Sequence, residues 1–254
     1  MDLPKTPSFR LDGRRAVVIG ASSGIGLGAA AALAEAGAHV TAAARGRERL
    51  DAAVSAMLAK GLSVEAAALD ATNTDDLRAF FNRIGPQDVM VHSAGIARHS
   101  LAVDTKPEDF DAVMDVNWRS AHFSAREAAR GMIAAGKRGS IILVSSQMGH
   151  IGGADRTVYA ASKHAVEGLM KSLAIELAPH GIRVNTLAPT FIRTPLTAKT
   201  LADPEKVRWI TSKIKLGRVG EIEDLMGPVV FLASDASALV TGTSLVVDGG
   251  WTAD

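Results

Sequence analysis

The chain has no cysteine in its 254 residues, which excludes disulfides, thiolate metal sites and thiol nucleophiles together and fits a reducing compartment. It has no run of about 18 apolar residues, so no segment reads as a membrane-spanning helix. Acidic and basic residues nearly cancel to a formal net charge of +1. That balance leaves no electrostatic footprint for nucleic acid, and no run of like charges marks a tail or a membrane-binding patch. The first 14 residues hold charges, Pro4 and Pro7 but no apolar core of signal-peptide length. These absences predict a cytoplasmic protein whose partners are a small molecule and other copies of itself, with no metal site. No repeat or low-complexity segment divides the chain, and its length suits one large core, so a single domain over residues 1–254 is expected.

Short β-branched or apolar runs alternate with longer alanine-rich amphipathic stretches, the pattern of strands that cross over through helices into a parallel sheet. Strands are predicted at 15–20, 39–44, 63–69, 88–92, 140–145, 183–188 and 244–247. Helices are predicted at 24–36, 47–60, 74–83, 107–114, 118–135, 157–178 and 223–234. The fold class is therefore α/β, a doubly wound Rossmann-like domain. Gly37, Gly61 and Gly136 stand where helix C-caps are needed, and Thr74-Asp75-Asp76 and Asp104 to Pro107 read as helix starts. Two stretches break the rhythm: the glycine-rich 149–156, and 189–214, which is too long for an ordinary connection and reads as a lid over a site.

Two motifs carry chemistry. Gly20-Ala-Ser-Ser-Gly24-Ile-Gly26 follows a strand and opens a helix. In that context glycines permit a tight turn and let a pyrophosphate approach the helix N-terminal amides, where the macrodipole favours anions. Tyr159 and Lys163 lie four apart on a predicted helix and share a face. A free phenol has a pKa of about 10, too high for proton transfer near neutrality, and an adjacent ammonium lowers it.

Together with Asp70, Ala94-Gly95, Asn117, Ser146, Pro189 and Thr194, and with the ending Gly217-Arg218 through Val247-Asp248-Gly249-Gly250, these motifs resemble the short-chain dehydrogenase/reductase family from about residue 9 onward. The resemblance implies a seven-stranded parallel sheet between helix layers, a nicotinamide dinucleotide and hydride exchange between a secondary alcohol and a ketone. By that resemblance Tyr159 is the proton donor, Ser146 a second hydrogen bond to the carbonyl oxygen, and Lys163 the group that lowers the tyrosine pKa and holds the nicotinamide ribose. Asn117 would anchor a water that replenishes protons, although its position at the start of a predicted helix also suits an N-cap. The family spacing of 13 residues to the tyrosine selects Ser146 over Ser145.

The implied cofactor contacts are Gly20, Ser22, Ser23, Gly24, Ile25, Gly26, Arg45, Asp70, Ala71, Ser93, Ala94, Gly95, Tyr159, Lys163, Pro189, Ile192 and Thr194. Asp70 has a rival role in capping the turn into the next helix. At the end of the second strand, where a carboxylate would accept from the adenosine ribose hydroxyls, the chain has Ala44 followed by Arg45. That pair favours NADP(H), with NAD as the alternative. Arg98, Gln147, His150, Phe191, Arg193 and Trp209 are candidates to face a substrate, which the C-terminal third compares with sugar acids, polyols and other hydroxyl-rich compounds. A 3-oxoacyl thioester reductase is the alternative, and a cofactor-binding sensor without turnover is the reading from another class. The chain departs from the family at His92-Ser93, which replaces a pair of asparagines, and at Thr190, which replaces a glycine. His92 is expected to be structural, behind the cofactor. Long alanine-rich helices around 118–135 and 157–178 predict a homotetramer.

Overall fold

A computed structural model describes residues 1–254. The alternating pattern is realised as β1 (Arg15–Ile19), α1 (Gly24–Glu35), β2 (His39–Ala44), α2 (Arg47–Leu58), β3 (Val64–Ala68), α3 (Thr74–Ile84) and β4 (Val89–His92). There follow α4 (Pro107–Met114), α5 (Ser120–Ala134), β5 (Gly139–Val144), α6 (Thr157–Leu177), β6 (Ile182–Pro189), α7 (Ala198–Leu201), α8 (Pro204–Lys213), α9 (Glu223–Ala233) and β7 (Ser244–Val247). The seven strands form one sheet in the order β3-β2-β1-β4-β5-β6-β7, and every pairing is parallel. The winding direction reverses between β1 and β4, and a crevice opens there at the strands' carboxyl ends, where ligands of such sheets bind.

Strand alternation divides the core between two faces. Ala16 and Val18 of β1 pack with α1, α2 and α9 through Leu33, Leu50 and Leu232. Val17 and Ile19 face the other way, onto Phe80 of α3, Ala125 of α5 and Met170 of α6. Because both faces are covered, the strands are nearly continuous apolar runs rather than alternating ones. Gly37, Gly61 and Gly136 all adopt positive φ at helix ends, as expected. No helix is long and apolar enough to cross a membrane.

Two sequence expectations need correction. The helix predicted from 118 starts at Ser120, and Asp115–Arg119 form a π-helical turn that continues α4 into α5. Asn117 sits in this turn, so it caps no helix. The segment expected as an irregular lid at 189–214 contains α7 and α8. Asp203 caps α8 by accepting from the Glu205 and Lys206 amides at 3.0 and 3.3 Å, and Pro204 occupies the first helical position. This Asp-Pro start is a legible helix signal. The start read at Thr74 is capped one residue earlier, by Asn73, whose Oδ1 accepts from the Asp75 and Asp76 amides.

Candidate active site

The crevice between β1 and β4 is a cleft of about 300 Å³. Its outer end is walled by Arg45 after β2, Arg49 on the first turns of α2, and Asp70 to Thr72 after β3; its inner end reaches Ser146, Tyr159 and Lys163. Between them lie the Gly20 turn, Ser93 to Ile96 after β4, and Pro189 and Thr194 to Leu196 after β6. The glycines are needed here for space as well as dihedral freedom. Gly20 has φ +87°, and a Cβ on it would sit 2.7 Å from the Ala94 nitrogen. A Cβ on Gly26 would collide with the Gly20 carbonyl oxygen, so only glycine lets α1 start directly beneath the turn. The first turn of α1 contains no acidic side chain, and the Ser23 hydroxyl makes no cap bond. Free helix amides, unspent serine hydroxyls and two arginines form a donor set that fits a phosphorylated dinucleotide.

Asp70 is placed for either role expected of it. It lines the cleft and also closes a turn, accepting at Oδ1 from the Thr72 amide (3.0 Å) and hydroxyl (2.7 Å). Burial alone would raise its pKa, but these bonds and the nearby Arg45 charge outweigh that and hold it below its ordinary value. Ala44 is buried and ends β2 without a carboxylate; the acid of that corner is Asp70, already engaged by Thr72.

At the inner end, the Lys163 ammonium donates to the Val144 carbonyl at 2.9 Å and stands 5.8 Å from the Tyr159 ring centroid. Burial pulls its pKa down to about 8, against the attraction of Glu167 one turn along. Tyr159 departs from the sequence expectation: burial raises its pKa, and the groups pulling the other way are the Ser146 hydroxyl and Arg156, not Lys163. Lysine and tyrosine share a helix face, but the ammonium is spent on a strand-end carbonyl. Of the two serines, Ser146 lines the inner end beside Tyr159 and accepts from the Met148 amide at 3.1 Å. Ser145, also at the cleft wall, has a buried hydroxyl with no partner.

Asn117 is 1 % exposed and lies behind the wall rather than in it. Its Oδ1 accepts from the Ile96 amide (2.8 Å), while Nδ2 donates to the Ile96 carbonyl (3.0 Å) and to the Ser162 hydroxyl (3.0 Å). The carboxamide thus ties the segment after β4 to the helix carrying Tyr159, and the extra residue of the π turn is what brings it there. His92 is structural, as expected. It is fully buried with Nε2 2.9 Å from the Ser120 hydroxyl, which itself donates to the Val116 carbonyl at 2.6 Å. The hydroxyl proton is therefore spoken for, so Nε2 carries the imidazole proton. Burial first, and the Lys163 charge second, lower the His92 pKa to about 3.

Other assignments scatter. Gly26 and Ile192 do not line the cleft; Ile192 is buried against Gly220. Arg98 pairs with Asp109 and Arg193 with Glu221. His150 is engaged by Ser244 and Glu167. Trp209 packs edge-on against Trp251 in a separate cavity of about 690 Å³. Gln147 and Phe191 do line a small cavity of about 70 Å³ that shares Ser146 and Tyr159 with the cleft. Thr190 lies there too, with no positive φ, so the replacement of glycine costs no backbone strain. Sequence reasoning missed Arg49, although it stands four residues after Arg45 in the first turn of α2, and Arg156, which no local pattern distinguishes from a surface arginine.

A parallel sheet whose switch-point cleft joins a glycine-rich turn to a Ser, Tyr and Lys group defines a dinucleotide-binding oxidoreductase. Residues 20–252 match the family model described as enoyl-(acyl carrier protein) reductase. The chain is 38% identical over 248 residues to gluconate 5-dehydrogenase of Gluconobacter oxydans, covering 96% of each. It is 37% identical over 245 residues to L-xylulose reductase of Bos taurus, covering 96% of this chain and 99% of that one. A crystal structure of a gluconate 5-dehydrogenase from Burkholderia cenocepacia in complex with NADP and tartrate superposes with a TM-score of 0.93 at 36% identity, covering 97% and 98% of the two chains. The chain belongs to the short-chain dehydrogenase/reductase family. It is an oxidoreductase that interconverts a secondary alcohol and a ketone with a nicotinamide dinucleotide.

Proposed function

We propose that the protein interconverts a hydroxyl-rich secondary alcohol, of the sugar-acid or polyol class, and its ketone with NADP(H). The observation that carries this reading is one cleft with Arg45 and Arg49 at its outer end, no carboxylate at Ala44, and Ser146, Tyr159 and Lys163 at its inner end. The similarity to gluconate and xylulose enzymes supports the substrate class. In the mostly apolar cavity beside Tyr159, the unpartnered Gln147 amide and Thr190 hydroxyl offer hydrogen bonds that suit a substrate's hydroxyl groups.

The nicotinamide supplies or accepts hydride when bound. In the reducing direction negative charge grows on the carbonyl oxygen, and the Tyr159 phenol gives that oxygen its proton while the Ser146 hydroxyl donates a second hydrogen bond. The raised pKa keeps the phenol protonated at neutral pH, so the donor is loaded before reaction. Lys163 would hold the nicotinamide ribose hydroxyls, and Arg156 stabilises the phenolate left behind. Asn117 positions both sides of the site through Ile96 and Ser162. Arg45 and Arg49 take the adenosine 2′-phosphate. Initial rates with NADPH against keto-sugar acids, ketoses and 3-oxoacyl thioesters test this reading; activity confined to the thioesters would overturn it.

The protein is also proposed to be a homotetramer. Trp118 in the turn before α5, Ile133 on α5 and Ile175 on α6 are exposed, as are Leu239 and Val246 near the β7 edge, which supplies two apolar faces for pairing. Light scattering at dilute concentration giving a monomer mass would remove this claim.

A further inference from the structure

Arg156 immediately precedes α6, three residues before Tyr159, and its guanidinium reaches the small cavity beside the phenol. It is held from three sides. Asp155, the only non-glycine residue with positive φ (59°), turns the chain into the helix, and its carbonyl accepts from the Ser100 amide at 3.2 Å. The Arg156 Cζ lies 5.2 Å from the centroid of the Phe191 ring. Its Nη1 lies 3.0 Å from the His99 Nε2. A guanidinium only donates, so His99 accepts at Nε2 and is neutral; partial burial and the Arg156 charge both hold its pKa below the ordinary value.

What this cation lacks is an acid. Of the three arginines around the substrate end, Arg98 is paired with Asp109 and Arg193 with Glu221, whereas Arg156 has only the weaker influence of Asp155 and Tyr159, and burial lowers its pKa overall. A half-buried charge supported by a neutral imidazole and an aromatic face is incompletely compensated. The same cavity contains a second unmet demand. Gln147 is 1 % exposed, and neither its Oε1 nor its Nε2 has a partner; the Thr190 hydroxyl is also buried and unpartnered. Buried amides without partners are uncommon and call for a ligand. The larger cavity of about 690 Å³ also has Arg156 in its wall, together with Lys206, Lys213 and Lys215. Lys206 and Lys215 have acidic neighbours in Asp203 and Asp254, while Lys213 has none. Asp155 and Asp254 stand in the same wall but are outnumbered by these four cations, so the approach is net cationic and draws anions inward.

We infer that Arg156 is a specificity-determining residue that binds the carboxylate of the substrate, with Gln147 and Thr190 receiving its hydroxyls, so that the enzyme acts on a hydroxy or keto acid rather than a neutral polyol or ketose. This rests on the reading of the cleft given above and narrows it. A planar guanidinium supported on one face by Phe191 offers paired N–H groups to a carboxylate, a geometry no neutral sugar uses fully.

The test separates binding from turnover. Calorimetry with saturating NADPH, where an alcohol cannot react, compares gluconate with xylitol. Gluconate binds at least tenfold more tightly to the wild type, Arg156→Met removes that preference by about tenfold to a hundredfold, and Arg156→Lys keeps part of it. Equal affinity for the two compounds in the wild type overturns the inference without any variant, and so does an Arg156→Met protein that retains the preference. If gluconate is preferred through Arg156 but no ketone of either class is reduced, the carboxylate site stands and the proposed reaction falls. If ketoses and keto acids are reduced equally well, the reaction stands and the carboxylate site falls.

Discussion

The two ends of the cleft are built differently. The cofactor end consists largely of backbone at the carboxyl ends of β1, β2, β3 and β4: the Gly20 turn, Ser93 to Gly95 and the Asp70 turn all follow directly from strands in register. The substrate end consists of side chains from segments far apart in sequence, such as Arg156 with His99 and Phe191, or Asn117 with Ile96 and Ser162. The first kind of site tolerates little change in backbone volume but depends on few side chains. The second kind concentrates its chemistry in single groups, so one atom can matter more than a whole loop.

The largest expected effect therefore belongs to the substrate end. Tyr159→Phe removes the proton donor while the ring still packs, and turnover falls by roughly a hundredfold or more with NADPH affinity nearly unchanged. Initial rates and quenching of protein fluorescence by NADPH check the two halves of that statement; a variant keeping more than half the wild-type rate defeats the assignment. At the cofactor end the damaging change is one of volume. Gly26→Ala places a methyl against the Gly20 carbonyl oxygen, and the resulting strain costs about 1–3 kcal/mol of stability. Denaturant unfolding measures this, and an unchanged midpoint and slope would show that the turn is softer than its packing implies.

Charge chemistry at the cofactor end is a smaller and tunable effect. NADPH is favoured over NADH by about tenfold to a hundredfold in kcat/KM through Arg45, and Arg45→Ala removes most of that preference. The pair Ala44→Asp with Arg45→Ala reverses it, because the carboxylate accepts from ribose hydroxyls and repels a phosphate. Equal rates with the two cofactors in the wild type would place Arg45 in solvent.

The effect that vanishes near neutral pH lies behind the wall the two ends share. The His92 pKa is lowered to about 3 when folded, against about 6.5 in an unfolded chain. Between those values the unfolded state binds one more proton at this residue, so its contribution to stability is intact above about pH 6.5 and is lost at about 1.4 kcal/mol per unit as pH falls. His92→Asn removes one proton from the acid-side slope of unfolding free energy against pH. An identical slope in the variant would mean that His92 is protonated in the folded protein.

Seven strands and seven of the nine helices were legible as elements, most with ends within one or two residues, because period, glycine caps and proline starts are local properties of the chain. Cleft-lining positions such as Gly20, Arg45, Asp70 and Ser93 to Gly95 were legible for the same reason: they follow strand ends, and strand ends converge once the sheet is parallel. The helices α7 and α8 went unread, despite the cap at Asp203, because a stretch with three prolines reads as irregular. The role of Asn117 also differed, since a helix start was expected where a π turn instead directs the side chain onto Ile96.

By itself the sequence determined an α/β parallel sheet, the glycine turn, the Tyr159 and Lys163 pair on one helix face, and the absence of an acid at Ala44. Only the tertiary structure decided that Lys163 is spent on the Val144 carbonyl, that Arg98 and Arg193 are neutralised by Asp109 and Glu221, and that Arg156 stands without a carboxylate beside the phenol. The physical reason is that periodicity and turn chemistry act over a few residues. Which charge meets which partner depends on contacts such as that between residues 99 and 156, 57 apart in the chain, which exist only after the sheet has brought their loops to one edge.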